Sequence, residues 1–220
     1  MIPNSSQEDY LKAIYHLEQE MGTNVSTNAI AVRVQTKASS VTDMLKKLAA
    51  RNYVHYERYY GVELTSAGRE MAIDIIRKHR LWESFLVDKL DFSWDEVHEV
   101  AEHLEHIRSE KLIAALDRFL GYPKLDPHGH PIPDRNGNFI GIDKTLLSDC
   151  QKGTRIRITG VKDPSKPFLK YLDNQNLKVG SIVEICGKEE FDNSLEIKVL
   201  NRLLSISDKT ASNLYIEITK

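Results

Sequence analysis

His98, Glu102, Glu105 and His106 stand at i, i+4, i+7 and i+8, a spacing that puts all four on one face of a helix. Upstream, His79 and Glu83 form an i, i+4 pair, again on one face. Two such faces meeting across an antiparallel helix pair would converge three carboxylates and three imidazoles. Gathering that much acid without a cation is very unfavourable, so the pattern points to a divalent metal. Taken singly, each residue reads as a solvated acid or an ordinary histidine, and that reading is kept for His16, His55 and His103. All candidate ligands are oxygen or imidazole nitrogen, with no thiolate. Such a set suits Mn2+ or Fe2+ better than a structural zinc site, while Co2+, Ni2+ and Zn2+ are expected to substitute in vitro.

Periodicity predicts the helices and strands that carry these residues. A first helix is expected over about 6–20, with Leu11, Ile14, Tyr15 and Leu17 inward and Gly22 ending it. A short helix follows Ser26-Thr27, where either hydroxyl can cap it. A third carries Val41, Met44, Leu45 and Leu48 as a one-sided apolar stripe. Tyr53–Glu57 alternates, turns near Tyr60-Gly61 and returns through Val62–Leu64 as a hairpin. Three helices and a hairpin are the order of a winged helix-turn-helix, in which one helix enters the major groove and the hairpin reaches neighbouring phosphates. Ser39, Ser40 and Thr42 open the third helix with small hydroxyls. Lys37, Lys46, Lys47 and Arg58 are placed for phosphate contact. Asp43 on the same face repels phosphate but can accept from cytosine. The competing reading makes these faces solvated and gives the helical core to protein contacts.

Thr65 caps a long helix reaching about residue 90, Ser93-x-x-Glu96 is a capping box opening the next, and a further helix spans about 110–119. Residues 121–141 hold four of the chain's seven prolines and read as a linker. Beyond it, 154–159, 181–185, 195–199 and 214–218 alternate with period two around one helical patch at 168–172, which suggests an SH3-like barrel. The expected fold is therefore mainly α with a small β-barrel. It divides into a winged-helix domain (1–73), a helical dimerisation and metal-binding domain (74–145) and the barrel (146–220).

A net charge of -2 does not fit a non-specific nucleic-acid binder, so positive charge must be local. Between Arg33 and Arg69 lie seven basic residues (33, 37, 46, 47, 51, 58, 69) against three acids (43, 57, 63). Between Asp91 and Glu110 the balance reverses, with His98, His103 and His106 among the acids. No apolar run is long enough for a membrane span and no signal pattern opens the chain, so a cytoplasmic protein is expected. Cys150 and Cys186 fit free thiols of a reducing compartment.

The sequence resembles the diphtheria toxin repressor family of iron- and manganese-dependent regulators. The likeness is carried by Glu8-Asp9-Tyr10-Leu11 with Ile14-Tyr15, Ser39-Ser40-Val41-Thr42 and Leu64-Thr65-x-x-Gly68. It continues in Arg77-Lys78-His79-Arg80-Leu81 with Glu83, Ala101-Glu102-x-x-Glu105-His106 and Pro127-His128-Gly129-x-Pro131-Ile132-Pro133. It spans essentially the whole chain. The resemblance implies a homodimer that metal activates to bind a palindromic operator, repressing metal-uptake genes. It implies a primary site of Asp9, Glu102, Glu105 and His106 with His79 close by, and an ancillary site drawn from Glu83, His98, Asp126, His128 and Asp163. Asp9, beside the DNA-binding unit, would then let the cation fix the orientation of the reading heads.

Three departures narrow the reading. Glu102 stands where iron-responding members tend to have Cys. Lys12 replaces an acid of short manganese-type members and argues against a two-metal primary site. Asp126 stands where some relatives have Cys. Mn2+ is therefore placed ahead of Fe2+. The alternatives are a winged-helix regulator without a metal switch, a di-metal hydrolase or oxygenase, and a barrel that docks proline-rich peptide. No nucleophile motif, phosphate loop or glycine-rich cofactor turn supports an enzyme, and the barrel lacks a dense aromatic cluster.

Overall fold

In the computed structural model, which describes residues 3–22 and 24–219, helix α1 (Ser5–Met21) starts at a reciprocal cap. Asn4 accepts from the Gln7 amide and Gln7 returns a bond to the Asn4 amide, satisfying two orphan donors of the first turn. Of the two hydroxyls before α2 (Thr27–Arg33), Ser26 caps, accepting from the Ala29 amide. Next come α3 (Ala38–Ala50) and an antiparallel hairpin of β1 (Val54–Glu57) and β2 (Gly61–Leu64), with Val54 opposite Leu64. Leu11, Ile14, Ile30, Val41, Leu45, Leu48, Val54 and Val62 fill one apolar core, as the stripes require.

Buried Glu18 ties this core to the segment after the hairpin. One carboxylate oxygen accepts from the Leu64 amide at 2.8 Å and the other from Arg69 at 2.6 Å, which offsets the cost of burying the charge. The Leu64-Thr65-x-x-Gly68 motif has a geometric reason. Thr65 Oγ1 donates to the Asn52 carbonyl and accepts from the Gly68 amide, opening α4 (Ser66–Leu90). A Cβ on Gly68 would lie 1.9 Å from the Tyr53 carbonyl oxygen, so the hairpin can pass only over a glycine.

Two further helices are α5 (Val97–Leu104) and α6 (Glu110–Phe119). Only half of the expected capping box forms. The Glu96 carboxylate accepts from the Ser93 amide, whereas the Ser93 hydroxyl donates to Asp95. A larger departure is that α5 stops at Leu104, where the Ile107 amide turns back to the Leu104 carbonyl. Glu105 and His106 thus sit on a turn, and the expected four-residue helical face does not exist.

The chain packs as two compact units. The first comprises Met1–His79, Glu102–Ile113 and Pro133–Asn138, the second Arg80–Ala101, Ala114–Ile132 and Phe139–Lys220. Within the second lie β3 (Arg155–Val161), α7 (Lys166–Asn174), β4 (Ile182–Lys188), β5 (Leu195–Val199), β6 (Arg202–Ile206), α8 (Asp208–Ala211) and β7 (Leu214–Ile218). The strands form one antiparallel sheet in the order β6-β5-β4-β3-β7, and register shifts at Ile158/Gly160 and Ile185/Gly187 bend it. Strand β6 escapes a period-two reading because Arg202 to Ser205 do not alternate and only Ile206 is buried.

The proline-rich stretch is not a flexible linker. Asp126, His128 and Ile132 are buried, the Ile132 amide donates to the Lys124 carbonyl, and Leu125 bridges Pro131. Its prolines and glycines serve tight turns. Among the described residues, no helix is long and apolar enough to cross a membrane.

Candidate metal centres and nucleic-acid face

In the first unit, Asp9, Glu105 and His106 each bring one donor atom within 4.8 Å of the others. Helix α1 supplies Asp9 from its second turn, and the turn after α5 supplies the other two. The His106 ring is fixed on both sides. Its Nδ1 lies 2.7 Å from Glu8 Oε2 and its Nε2 lies 3.1 Å from Asp9 Oδ1. Glu8 is buried and also bound by Arg108. A ring whose Nδ1–H donates to Glu8 keeps its Nε2 lone pair for a cation, the usual orienting role of a carboxylate behind a ligating histidine. Sequence reasoning missed Glu8, and the only signal was its place beside Asp9.

Glu105 has a fully buried side chain. Lys12 donates to its two oxygens at 2.6 and 2.8 Å, and His79 Nδ1 lies 2.5 Å from Oε2. Burial pushes the Glu105 carboxyl upward, but His79 and Lys12 outweigh it and hold the group below its ordinary value. Asp9 goes the other way: burial raises it despite His106 and Lys12. Glu102 is half exposed, with Oε1 3.7 Å from the Lys12 ammonium. The pocket is thus built for positive charge, and an ammonium supplies it. The carboxylate-imidazole donors fit a hard or borderline divalent cation.

In the second unit, Glu83 faces two imidazoles, with His98 Nδ1 3.4 Å from Oε1 and His128 Nδ1 3.6 Å from Oε2. Asp126, His128 and His130 form a further group whose donor atoms lie within 4.8 Å of one another. His130 was not expected. Asp163, expected here, is exposed and spends its carboxylate on the Ser165 amide and hydroxyl ahead of α7. For His128, burial opposes the cation, yet the bond and charge of Glu83 hold the imidazolium above its ordinary range.

On α3, Ser39 and Ser40 are exposed, whereas Thr42 Oγ1 donates back to the Ala38 carbonyl. Asp43 stands 3.8 Å from Lys46, which offsets the charge that would repel phosphate. Lys37 is the N-cap residue of α3, and Lys47 is exposed in its last turn. Between α3 and the hairpin lies a cavity of about 600 Å³ lined by Thr42, Lys46, Tyr56, Arg58 and Tyr59 among others. Tyr59 is 88% exposed with the Arg58 guanidinium 4.9 Å above its ring, and Tyr60 beside it is 72% exposed. These tyrosines were not singled out from the sequence, although an adjacent aromatic pair at a hairpin tip was the available signal.

Comparison with known proteins agrees along the chain. Models described as iron dependent repressor, N-terminal DNA binding domain, and iron dependent repressor, metal binding and dimerisation domain, match residues 4–62 and 65–134. An FeoA domain model matches 145–218. The iron-dependent repressor IdeR of Mycobacterium leprae is 37% identical over 126 residues, covering 57% of this chain and 54% of that protein. The chain thus matches about half the length of this curated relative. A helix-turn-helix regulator of Methanocaldococcus jannaschii is 38% identical over 117 residues, 53% of this chain and 94% of its own length. Among solved structures, a manganese-dependent transcriptional repressor in complex with manganese is similar at TM-score 0.84 and 30% identity, covering 97% of this chain and 100% of that one. The manganese regulator SloR is similar at TM-score 0.77 and 34% identity, with 100% of both chains covered.

Proposed function

The chain belongs to the iron-dependent repressor family, and on that basis we propose that it is a divalent-metal-dependent DNA-binding transcriptional regulator acting as a repressor. The observation that carries this reading is the meeting of Asp9, Glu105 and His106, whose donor atoms lie within 4.8 Å of one another, with Asp9 supplied by the first helix of the winged-helix core. Asp9, Glu102, Glu105 and His106, with His79 behind Glu105, would hold the ion. Bound there, the ion supplies charge and directional bonds linking α1 to the turn after α5. Held by residues of both segments, α1 and the turn after α5 would be fixed in one geometry out of an ensemble.

The proposal includes a homodimer on a palindromic operator, with half-sites one helical turn or a multiple apart, a cytoplasmic location, and the division at 73 and 145. The FeoA match beginning at 145 supports the second boundary, whereas the two repressor matches meet at 62–65, ahead of the first. Glu83, His98, Asp126 and His128 are assigned to a second metal site. Mn2+ is placed ahead of Fe2+ because Glu102 stands where iron-responding members tend to have Cys, which keeps the donor set free of thiolate. SloR and the structure in complex with manganese are named for that metal, while IdeR is named for iron. The di-metal enzyme reading of the same clusters falls with the family assignment.

DNA contact is assigned to Lys37, Ser39, Ser40, Thr42, Asp43, Lys46, Lys47 and Arg58. Arg58→Ala is expected to weaken binding severalfold on all sequences alike. It is also expected to lower the slope of log K against log salt by about 0.9, the release of one phosphate's counterion. Titrations at several KCl concentrations check this, and an unchanged slope would remove Arg58 from the phosphate contacts.

The function is tested by anaerobic retention of sheared genomic DNA from the source organism, with chelator, Mn2+ or Fe2+. Retention of a few fragments only with metal supports the proposal and yields the operator, and the relative potency of the ions decides the metal. Equal retention with chelator would leave a DNA-binding protein without a metal switch.

A further inference from the structure

We infer that His130 is a metal ligand of the second centre, completing with Asp126, His128 and Glu83 a site for a first-row divalent cation. The inference rests on the metal-dependent reading above but concerns a residue that reading does not use.

The first observation is an orphan. The Asp126 side chain is 1% exposed, and its Oδ1 accepts from the amides of His128 and His130. Its Oδ2, equally buried, has no hydrogen-bond partner among the described residues. Arg80 Nε at 3.6 Å and His130 Nδ1 at 3.4 Å lie near it without making that bond. A buried carboxylate oxygen left without a hydrogen-bond donor is unfavourable, so it marks a place for a cation.

The second observation is the orientation of the two rings. His128 Nε2 lies 2.7 Å from the Trp94 carbonyl and His130 Nε2 lies 2.9 Å from the Val161 carbonyl. A carbonyl can only accept, so both Nε2 atoms carry hydrogen, and each neutral ring then has its lone pair on Nδ1. Those Nδ1 atoms face carboxylates, His130 toward Asp126 and His128 toward Glu83. A ring anchored through one nitrogen to a backbone carbonyl, with the other aimed into an acidic pocket, is the arrangement of a ligating histidine.

The loop that holds them is preformed. Gly129 has φ +84°, and a Cβ there would lie 2.1 Å from the Thr159 carbonyl oxygen. The Val161 amide donates to the His128 carbonyl, so β3 fixes the segment bearing both rings. Two nitrogens and two carboxylates suit Mn2+ or Fe2+.

The test isolates this centre by working in a His106→Ala background, which removes a ligand of the first. Mn2+ is titrated calorimetrically into the full-length protein. His106→Ala is expected to bind an ion that His106→Ala/His130→Ala binds about tenfold to a hundredfold more weakly. His106→Ala/Asp192→Ala is expected to stay within about threefold of the background, because Asp192 is exposed and serves the turn between β4 and β5. His106→Ala/His130→Gln keeps a donor for the Val161 carbonyl and controls for folding, with melts followed by circular dichroism. It is expected to lose affinity while keeping its melting temperature. Equal affinity with and without His130 overturns the assignment. If His106→Ala binds no ion while the wild type binds one, this centre is overturned and the first stands. If the wild type binds none, both readings fall.

Discussion

Asp9→Ala is expected to leave the protein folded and to cut metal-dependent DNA binding by at least about tenfold to a hundredfold. The fold should survive because α1 is held by its Asn4-Gln7 cap and by buried Tyr10, Leu11, Ile14 and Leu17. The Asp9 side chain is 49% exposed, so its loss should cost within about 0.5 kcal/mol. His106 stays in place because Glu8, itself bound by Arg108, holds the far side of its ring. What disappears is the one ligand contributed by the winged-helix core, and with it the means by which an ion couples α1 to the turn after α5. Fluorescence anisotropy on the recovered operator, with Mn2+ titrated in, reads the coupling. Circular dichroism in the same buffer reads the fold. A metal response equal to the wild type would show that the ion does not act through α1.

The winged-helix core was legible because Val41, Met44, Leu45 and Leu48 repeat at helical spacing and Leu64-Thr65-x-x-Gly68 demands a tight crossing. The candidate donors were legible for the same local reason: His98, Glu102, Glu105 and His106 lie close in sequence. Their grouping was not. Periodicity carries a helix through Glu105, but the chain turns after Leu104, and Glu105 is claimed by Lys12, 93 positions away, and by His79. Glu8 and His106 are 98 positions apart, so no local pattern could pair them. The segment holding Asp126, His128 and His130 read as a linker because proline and glycine signal turns whether or not the turns are buried. Asp163 accepts from the amide and hydroxyl of Ser165, two residues away, a local turn that the alternation of the strands does not show. For Glu105 and His106 a contact between distant residues decided the geometry.

Lys12→Met is expected to move stability and metal affinity in opposite directions. The Lys12 ammonium donates to both oxygens of Glu105, and its side chain is only 14% exposed. An ion entering the same carboxylate must displace it, because a divalent cation and an ammonium about 4 Å apart repel by roughly 8 kcal/mol at an effective dielectric of about 20. The free energy of metal binding therefore already includes breaking this pair. Removing one partner of a buried ion pair costs about 3–5 kcal/mol. His79 remains 2.5 Å from Glu105 Oε2 and retains part of that, so the metal-free variant should lose about 1–3 kcal/mol. The metal-bound state, in which the pair is already broken, loses little. The difference appears as tighter binding, about tenfold per 1.4 kcal/mol. Thermal melts with chelator should fall, melts with saturating Mn2+ should hold, and Mn2+ titration should give a lower Kd. Lys12→Arg keeps the competing cation and should resemble the wild type in all three. A weaker Mn2+ affinity in Lys12→Met would instead show that the ammonium organises the ligands, and that the ion binds beside it without replacing it.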